Sequence, residues 1–312
     1  MTSITLDEAE ELFKGDVGEL QDKAMKLRYR FFGKEIRFYW KPFTPVSVTK
    51  TRCELACKHC NTHYLEHMHQ VDNSGDLIKL AKLLSESDVR GVVLSGGSRR
   101  DGSVPTYEFG DAVKKIKEET PLIINAHTGI VTKEQARIVS EFLDAALTDV
   151  IGDRETVKEI LGLDYGPGDY QKTLRYLRDY GVKNISPHVI VGLYYGRIRG
   201  ELNALNILGE IDPDNIVIVV FIPTKGTAME DVDPPKIEDV SRIISIARIM
   251  YPKKNISLSC VRPGGRYRIE LDKEAILSGI NKMAVPSKSA YETSKKLGLD
   301  ITEIRESRCC SW

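Results

Sequence analysis

The sequence predicts an α/β protein: a single (β/α)8 barrel of the TIM type, with an N-terminal helix ahead of it and a C-terminal tail folding over its mouth. Two observations predict this. Eight times along the chain a short run rich in β-branched residues is followed by a loop and an amphipathic stretch, the alternation that builds a parallel sheet. The interiors of "VVL", "LIIN" and "IVIVVFI" are also continuously apolar, as strands covered on both faces are. The 312 residues are enough for one such barrel, and no Ser/Gly/Pro-rich linker divides them. One domain over 1–312 is expected, with helix and arm in 1–45, barrel in 46–298 and a cysteine-containing tail in 299–312.

The elements follow in order. Residues 6–31 read as helix, since Thr5 can cap it and Leu12, Leu20, Ala24 and Leu27 form an apolar stripe. "GKEIRFYW" is a short strand or arm. "VSVTKTR" is the first barrel strand, followed by a cysteine-rich loop and the helix "DLIKLAKLLSE". "RGVVLSGG" is a strand ending in a glycine pair, then comes the helix "YEFGDAVKKIKEE". "PLIINAHTG", "AALTDVIGD" and "ISPHVIVGL" are the next strands, separated by the helices "KEQARIVSEFLD" and "YQKTLRYLRDYG". "NIVIVVFIPT", "NISLSCVRPG" and "INKMAVP" complete the eight, with helices after each. In such barrels the chemistry sits where strands end and loops to the helices begin, so functional residues are expected in those loops.

Composition narrows the function. Formal net charge is zero, which argues against nonspecific nucleic-acid binding. No apolar run is long enough for a membrane span. The acidic, periodic N-terminus resembles neither a signal nor a transit peptide, so a cytoplasmic protein is expected. In that setting six cysteines point to metal ligands or reactive thiols rather than a disulfide framework.

Three cysteines and four histidines crowd into "TRCELACKHCNTHYLEHMH" at 51–69. The spacing Cys53, Cys57, Cys60 supplies three thiolates, and thiolates select soft metals and iron–sulfur clusters. A four-iron cube held by three cysteines keeps one iron free for a ligand that is not protein. The bland alternative is a structural zinc site, with a fourth ligand from His59, His63, His67 or His69.

"CELACKHC", in the loop after the first strand, resembles the Cys-x3-Cys-x2-Cys signature of the radical S-adenosylmethionine (radical SAM) superfamily. The resemblance implies that Cys53, Cys57 and Cys60 hold a 4Fe-4S cluster, with S-adenosylmethionine chelating its fourth iron. It further implies a set of cofactor contacts. Gly96 and Gly97 of "LSGGSRR" match the glycine pair that holds the methionine amino group, with Ser98 where relatives carry an acid. Asp153 of "TDVIGD" matches a ribose contact, and Gly192 of "HVIVGL" lies on the segment against adenine. His59 takes the place of the aromatic residue that precedes the last cysteine. His127 of "NAHTG" points into the mouth, or else is a buried hydrogen-bonded histidine.

The whole chain resembles the biotin synthase branch of that superfamily, whose members include enzymes that draw sulfur from a second cluster. "VVLSGG", "INAHTG" and "HVIVGL" carry no cysteine where biotin synthase is expected to hold its second cluster. Cys260 stands on strand seven with Arg262 two residues on, and Cys309 and Cys310 stand in the tail "RESRCCSW". The reading is that Cys260, Cys309 and Cys310 grip a second 4Fe-4S cluster; the alternative is a terminus with two spare thiols. These features resemble a subunit of the two-protein lipoyl synthases. That implies an octanoylated carrier protein or lipoyl domain as substrate, a second lipoyl synthase subunit as partner, and an electron donor of the ferredoxin or flavodoxin type. The rival readings are biotin synthase-like sulfur insertion, a single-cluster mutase or lyase of the methylornithine synthase or hydrogenase-maturase kind, and a non-enzymatic metal scaffold.

Overall fold

The computed structural model describes residues 2–311. The expected first helix is two: α1 (Leu6–Phe13) and α2 (Val17–Phe32). Thr5 and Glu8 form a capping box on α1, and Asp16 caps α2 by accepting from the Glu19 N–H. A new N-cap three residues after Phe13 restarts the helix rather than continuing it. The remaining elements are β1 (Glu35–Lys41), β2 (Thr44–Ser47), β3 (His69–Gln70), α3 (Ser74–Ser85), β4 (Gly91–Ser95), α4 (Gly110–Glu119), β5 (Ile123–His127), α5 (Lys133–Ser140), β6 (Ala145–Val150), α6 (Arg154–Thr156), α7 (Pro167–Asp179), β7 (Asn184–Val191), α8 (Glu201–Leu208), β8 (Asn215–Val220), α9 (Ile237–Met250), β9 (Asn255–Leu258), α10 (Gly265–Leu277), β10 (Lys282–Ala284), α11 (Lys288–Lys296) and β11 (Asp300–Ser307).

The sheet runs β11-β1-β10-β9-β8-β7-β6-β5-β4-β2-β3, and every pairing is parallel. β1 and β2 lie near opposite ends of this order, yet only Pro42 and Phe43 separate them in the chain. The sheet must therefore curl until its ends meet. One bent strand spans the seam, pairing through β1 with β10 and through β2 with β4. Ion pairs Lys41–Asp88 and Arg90–Glu306 reach across it.

Alternation along the strands sorts side chains to two faces. Ile124, Ala126, Ala146, Ile185, Val189, Ile216, Ile218 and Val220 belong to one apolar core with the surrounding helices. The other face turns to the lumen, and it carries Asn125, Ser186, His188, Asn215 and Ser257 as buried polar groups beside apolar residues such as Val217 and Val219. A barrel of this kind usually fills its interior with branched apolar side chains; here polar groups stand among them.

The tail does more than fold over a rim. β11 adds to β1 as a parallel edge strand, and the Arg308 N–H donates to the Lys41 carbonyl. The chain then turns into the lumen. Ser257 Oγ donates to the Cys310 carbonyl (2.9 Å), and Ser186 Oγ donates to the Ser311 carbonyl (2.7 Å). Among the described residues no helix is long and apolar enough to cross a membrane.

Candidate active site

β2 delivers the chain to the cysteine loop. Cys57 is buried, and Cys53 and Cys60 are half-buried. Tight turns bring Cys57 and Cys60 together, with the Cys60 N–H donating to the Cys57 carbonyl (3.3 Å) and the His63 N–H to the Cys60 carbonyl (2.8 Å), while Cys53 lies outside their close group. Cys57, His59 and Cys60 offer ligand atoms within 4.8 Å of one another. The neighbouring Cys57, and then His59, hold the Cys60 thiol below its ordinary value, while Cys57 Sγ donates to the Leu161 carbonyl (3.9 Å); a thiolate is the form that ligates metal. His59 Nδ1 is buried without a hydrogen-bond partner among the described residues. The loop is braced from outside: Lys58 pairs with Glu159, and Tyr195, whose hydroxyl donates to Glu159 (2.7 Å), accepts from Lys58 (3.0 Å).

The glycine pair after β4 packs against this loop. A Cβ on Gly97 would stand 2.1 Å from the Arg52 carbonyl oxygen and 2.5 Å from Cys53 Cα, so only glycine permits the approach. The Gly97 N–H donates to Thr49 Oγ1 (2.7 Å), and the Ser98 N–H points at Cys53 Sγ (3.3 Å). Gly192 ends β7 with φ +80°, and a Cβ there would strike Pro235. Its N–H donates to the buried Glu201 (2.8 Å), as the Arg199 N–H does (2.6 Å). Asp153 caps α6 by accepting from the Thr156 N–H and hydroxyl (both 2.7 Å), and it accepts from Arg199 (2.8 Å). Burial pushes its carboxyl up, but these hydrogen bonds outweigh burial and it lies below its ordinary value. His127 ends β5, stacked on His188 of β7 at 5.3 Å between ring centroids.

Comparison with known proteins decides between metal scaffold and enzyme. The radical SAM superfamily model matches residues 47–196, and the biotin and thiamin synthesis associated domain matches 206–307. The chain belongs to the radical SAM superfamily. Within it, the chain sits on the biotin synthase-like branch. It is 26% identical over 286 residues to a biotin synthase of Vibrio atlanticus, covering 84% of this chain and 78% of that one. It is 24% identical to a biotin synthase of Marinobacter nauticus, covering 97% and 85%. In fold it is similar to the FeFe-hydrogenase maturase HydG from Carboxydothermus hydrogenoformans (TM-score 0.69, 16% identity, 96% and 76% covered) and to methylornithine synthase (TM-score 0.67, 17% identity, 96% and 94% covered).

This radical SAM chain is therefore an enzyme whose cofactors are a 4Fe-4S cluster and S-adenosylmethionine. The residues fit that group: a low-lying thiolate at Cys60 beside Cys57 and the orphaned nitrogen of His59, and a glycine where a side chain would push the loop away.

The chain's other three cysteines gather inside the barrel. Cys310 is buried with Tyr39 and Ala284, and Cys260 packs against them. Ser311 Oγ donates to Cys309 Sγ (2.8 Å). The neighbouring Cys310, and then the Ser311 hydroxyl, hold Cys309 below its ordinary value, while Cys309 and burial push Cys310 up. Burial, then the charge of Cys309, raises Cys260. Arg262 does not join them. β9 ends at Leu258, so strand alternation stops before Arg262. Its guanidinium instead pairs with Asp272 of α10 at 2.8 Å, both side chains fully buried, and donates to the Ala284 and Val285 carbonyls. Sequence reasoning missed Asp149, His188 and Glu201. The signal for His188 and Asp149 was present: each is a titratable residue on a barrel strand.

Proposed function

We propose that this enzyme inserts sulfur into an octanoyl chain carried on a protein, with a second 4Fe-4S cluster held by Cys260, Cys309 and Cys310. The observation that supports the reading is that the tail carries Cys309 and Cys310 into the barrel, where Cys260, from a distant part of the chain, packs against the cluster of Cys310, Tyr39 and Ala284. When bound, the cofactors supply one electron that splits the sulfonium of S-adenosylmethionine, a 5′-deoxyadenosyl radical that takes hydrogen from carbon, and sulfide from the second cluster. The protein's own work is holding and aiming. Cys53, Cys57 and Cys60 fix the first cluster at the end of β2, and Gly97 lets that loop sit down. Ser186 and Ser257 hold the tail inside the barrel, where Cys260 packs against the cluster that contains Cys310. The acyl chain would arrive on a lipoyl domain or other carrier protein, with a second synthase subunit and a ferredoxin- or flavodoxin-type donor as partners.

Anaerobic reconstitution followed by mass spectrometry of an octanoylated lysine peptide tests this. About eight irons per chain and a sulfur-bearing peptide are expected; about four irons with no sulfur transfer would defeat the reading. Cys57→Ala should abolish 5′-deoxyadenosine formation, whereas Cys309→Ala should preserve it and stop thiolation. A second reading, sulfur insertion into a biotin precursor, is favoured by the similarity to biotin synthases. The same assay with that precursor separates the two.

A further inference from the structure

We propose that His127, Asp149 and His188 form a binding site for a divalent transition-metal ion in the barrel lumen, built without cysteine. Three adjacent strands supply it. Asp149 of β6 lies directly opposite His188 of β7, and His127 of β5 lies opposite Leu147, two residues before Asp149 on the same face. Each offers a ligand atom, and those atoms all lie within 4.8 Å of one another.

The second observation is what these groups lack. Among the described residues none of the three side chains makes a hydrogen bond, and the Nδ1 of His188, a side chain in a residue only 8% exposed, is buried with no partner. Buried polar groups are ordinarily satisfied, because leaving one unpaired forfeits its hydration. One such nitrogen, with the half-buried His127 and the exposed Asp149 offering ligand atoms beside it, calls for a ligand there. The donor set names its class. Two imidazoles and one carboxylate suit first-row divalent ions such as ferrous iron or zinc, and hold them with coordination positions left open. Burial lowers the pKa of both histidines, which keeps their lone pairs free for a metal. A bound ion of charge 2+ would offset the carboxylate and the unmet imidazole nitrogens together.

The position matters for the chemistry. His127 and His188 each stand two residues beyond the residues that touch the tail, Asn125 and Ser186. The site is thus the layer above Cys309–Ser311, on the side toward the loops that carry Cys53, Cys57 and Cys60. Water or a carbonyl or carboxylate oxygen would complete the shell.

The test uses the full chain with its iron–sulfur clusters reconstituted, so that cysteines are already engaged. It is dialysed anaerobically against Co2+, with uptake read by elemental analysis and ligation by X-ray absorption at the cobalt edge. One cobalt per chain, with a nitrogen and oxygen shell and imidazole scattering, is expected. Asp149→Asn and His188→Ala should each weaken uptake at least about tenfold, and Asp149→Asn, at an exposed residue, should leave thermal unfolding unchanged. No uptake by the wild type, sulfur in the cobalt shell, or uptake undiminished in either variant would overturn the proposal. Because the readout is metal rather than product, it stands or falls apart from the sulfur-insertion reading.

Discussion

Replacing Ser257 by Ala would loosen the tail without unfolding the barrel. Ser257 and Cys310 are both buried, as are Ser186 and Ser311, and each serine hydroxyl satisfies one tail carbonyl. Removing the Ser257 hydroxyl leaves the Cys310 carbonyl buried and unpaired, at a cost of about 1–3 kcal/mol. At about 1.4 kcal/mol per factor of ten, the undocked tail becomes roughly 5–150 times more populated. Ser186→Ala should act similarly, and because the two carbonyls are adjacent the double variant need not be additive. The assay is alkylation of the cluster-free, reduced chain, followed peptide by peptide in the mass spectrometer. When opening is fast relative to labelling, the rate follows the open population, so Cys310 should label faster by that factor while Cys57 does not. An unchanged Cys310 rate would refute the anchoring role. A parallel rise at Cys57 would show that the whole chain had opened instead.

Gly97→Ala should keep the fold but displace the loop at Arg52 and Cys53, lowering 5′-deoxyadenosine formation about 100-fold; normal turnover would show that the loop yields. Arg262→Met leaves the buried Asp272 carboxylate without its counter-charge, with only the Ser287 N–H as partner, so stability in urea should fall by about 3–5 kcal/mol; a smaller loss would show that water or the Ser287 N–H suffices for the carboxylate. Burial raises the Glu201 carboxyl from 4.5 to about 7. Between those values the folded chain keeps a proton that the unfolded chain has lost, so stability falls as pH rises through that window, by up to about 3 kcal/mol. Glu201→Gln should flatten that slope in urea titrations at pH 5, 6 and 7, and a persisting slope would assign it elsewhere.

Strand and helix alternation was readable because outward-facing apolar residues mark every barrel strand. Cys53, Cys57 and Cys60 were readable because their chemistry is local, carried by one loop. What escaped depends on facing and distance. "DITEIRES" is charged and lacks period-two alternation, so it reads as tail, yet it becomes β11 because β1 offers it an open edge. The break between α1 and α2 turns on Asp16 making a better cap than a helix interior residue. Arg262 seemed to share a face with Cys260, but the strand ends first. Asn125, Ser186, His188 and Ser257 could be seen as polar residues among apolar ones. Their convergence on one axis could not, since that needs the register of five strands.

The joint at Pro42–Phe43 gives this barrel a circumference that is spliced rather than riveted. Everywhere else a neighbouring strand fixes the spacing through backbone hydrogen bonds; at the splice, two residues of chain and two solvent-washed ion pairs, Lys41–Asp88 and Arg90–Glu306, do so. Such pairs are weak and fade with added salt. The girth of the cylinder can therefore change there by a hinge of two residues, with no rung of any ladder broken, and the final residues enter the interior beside that hinge.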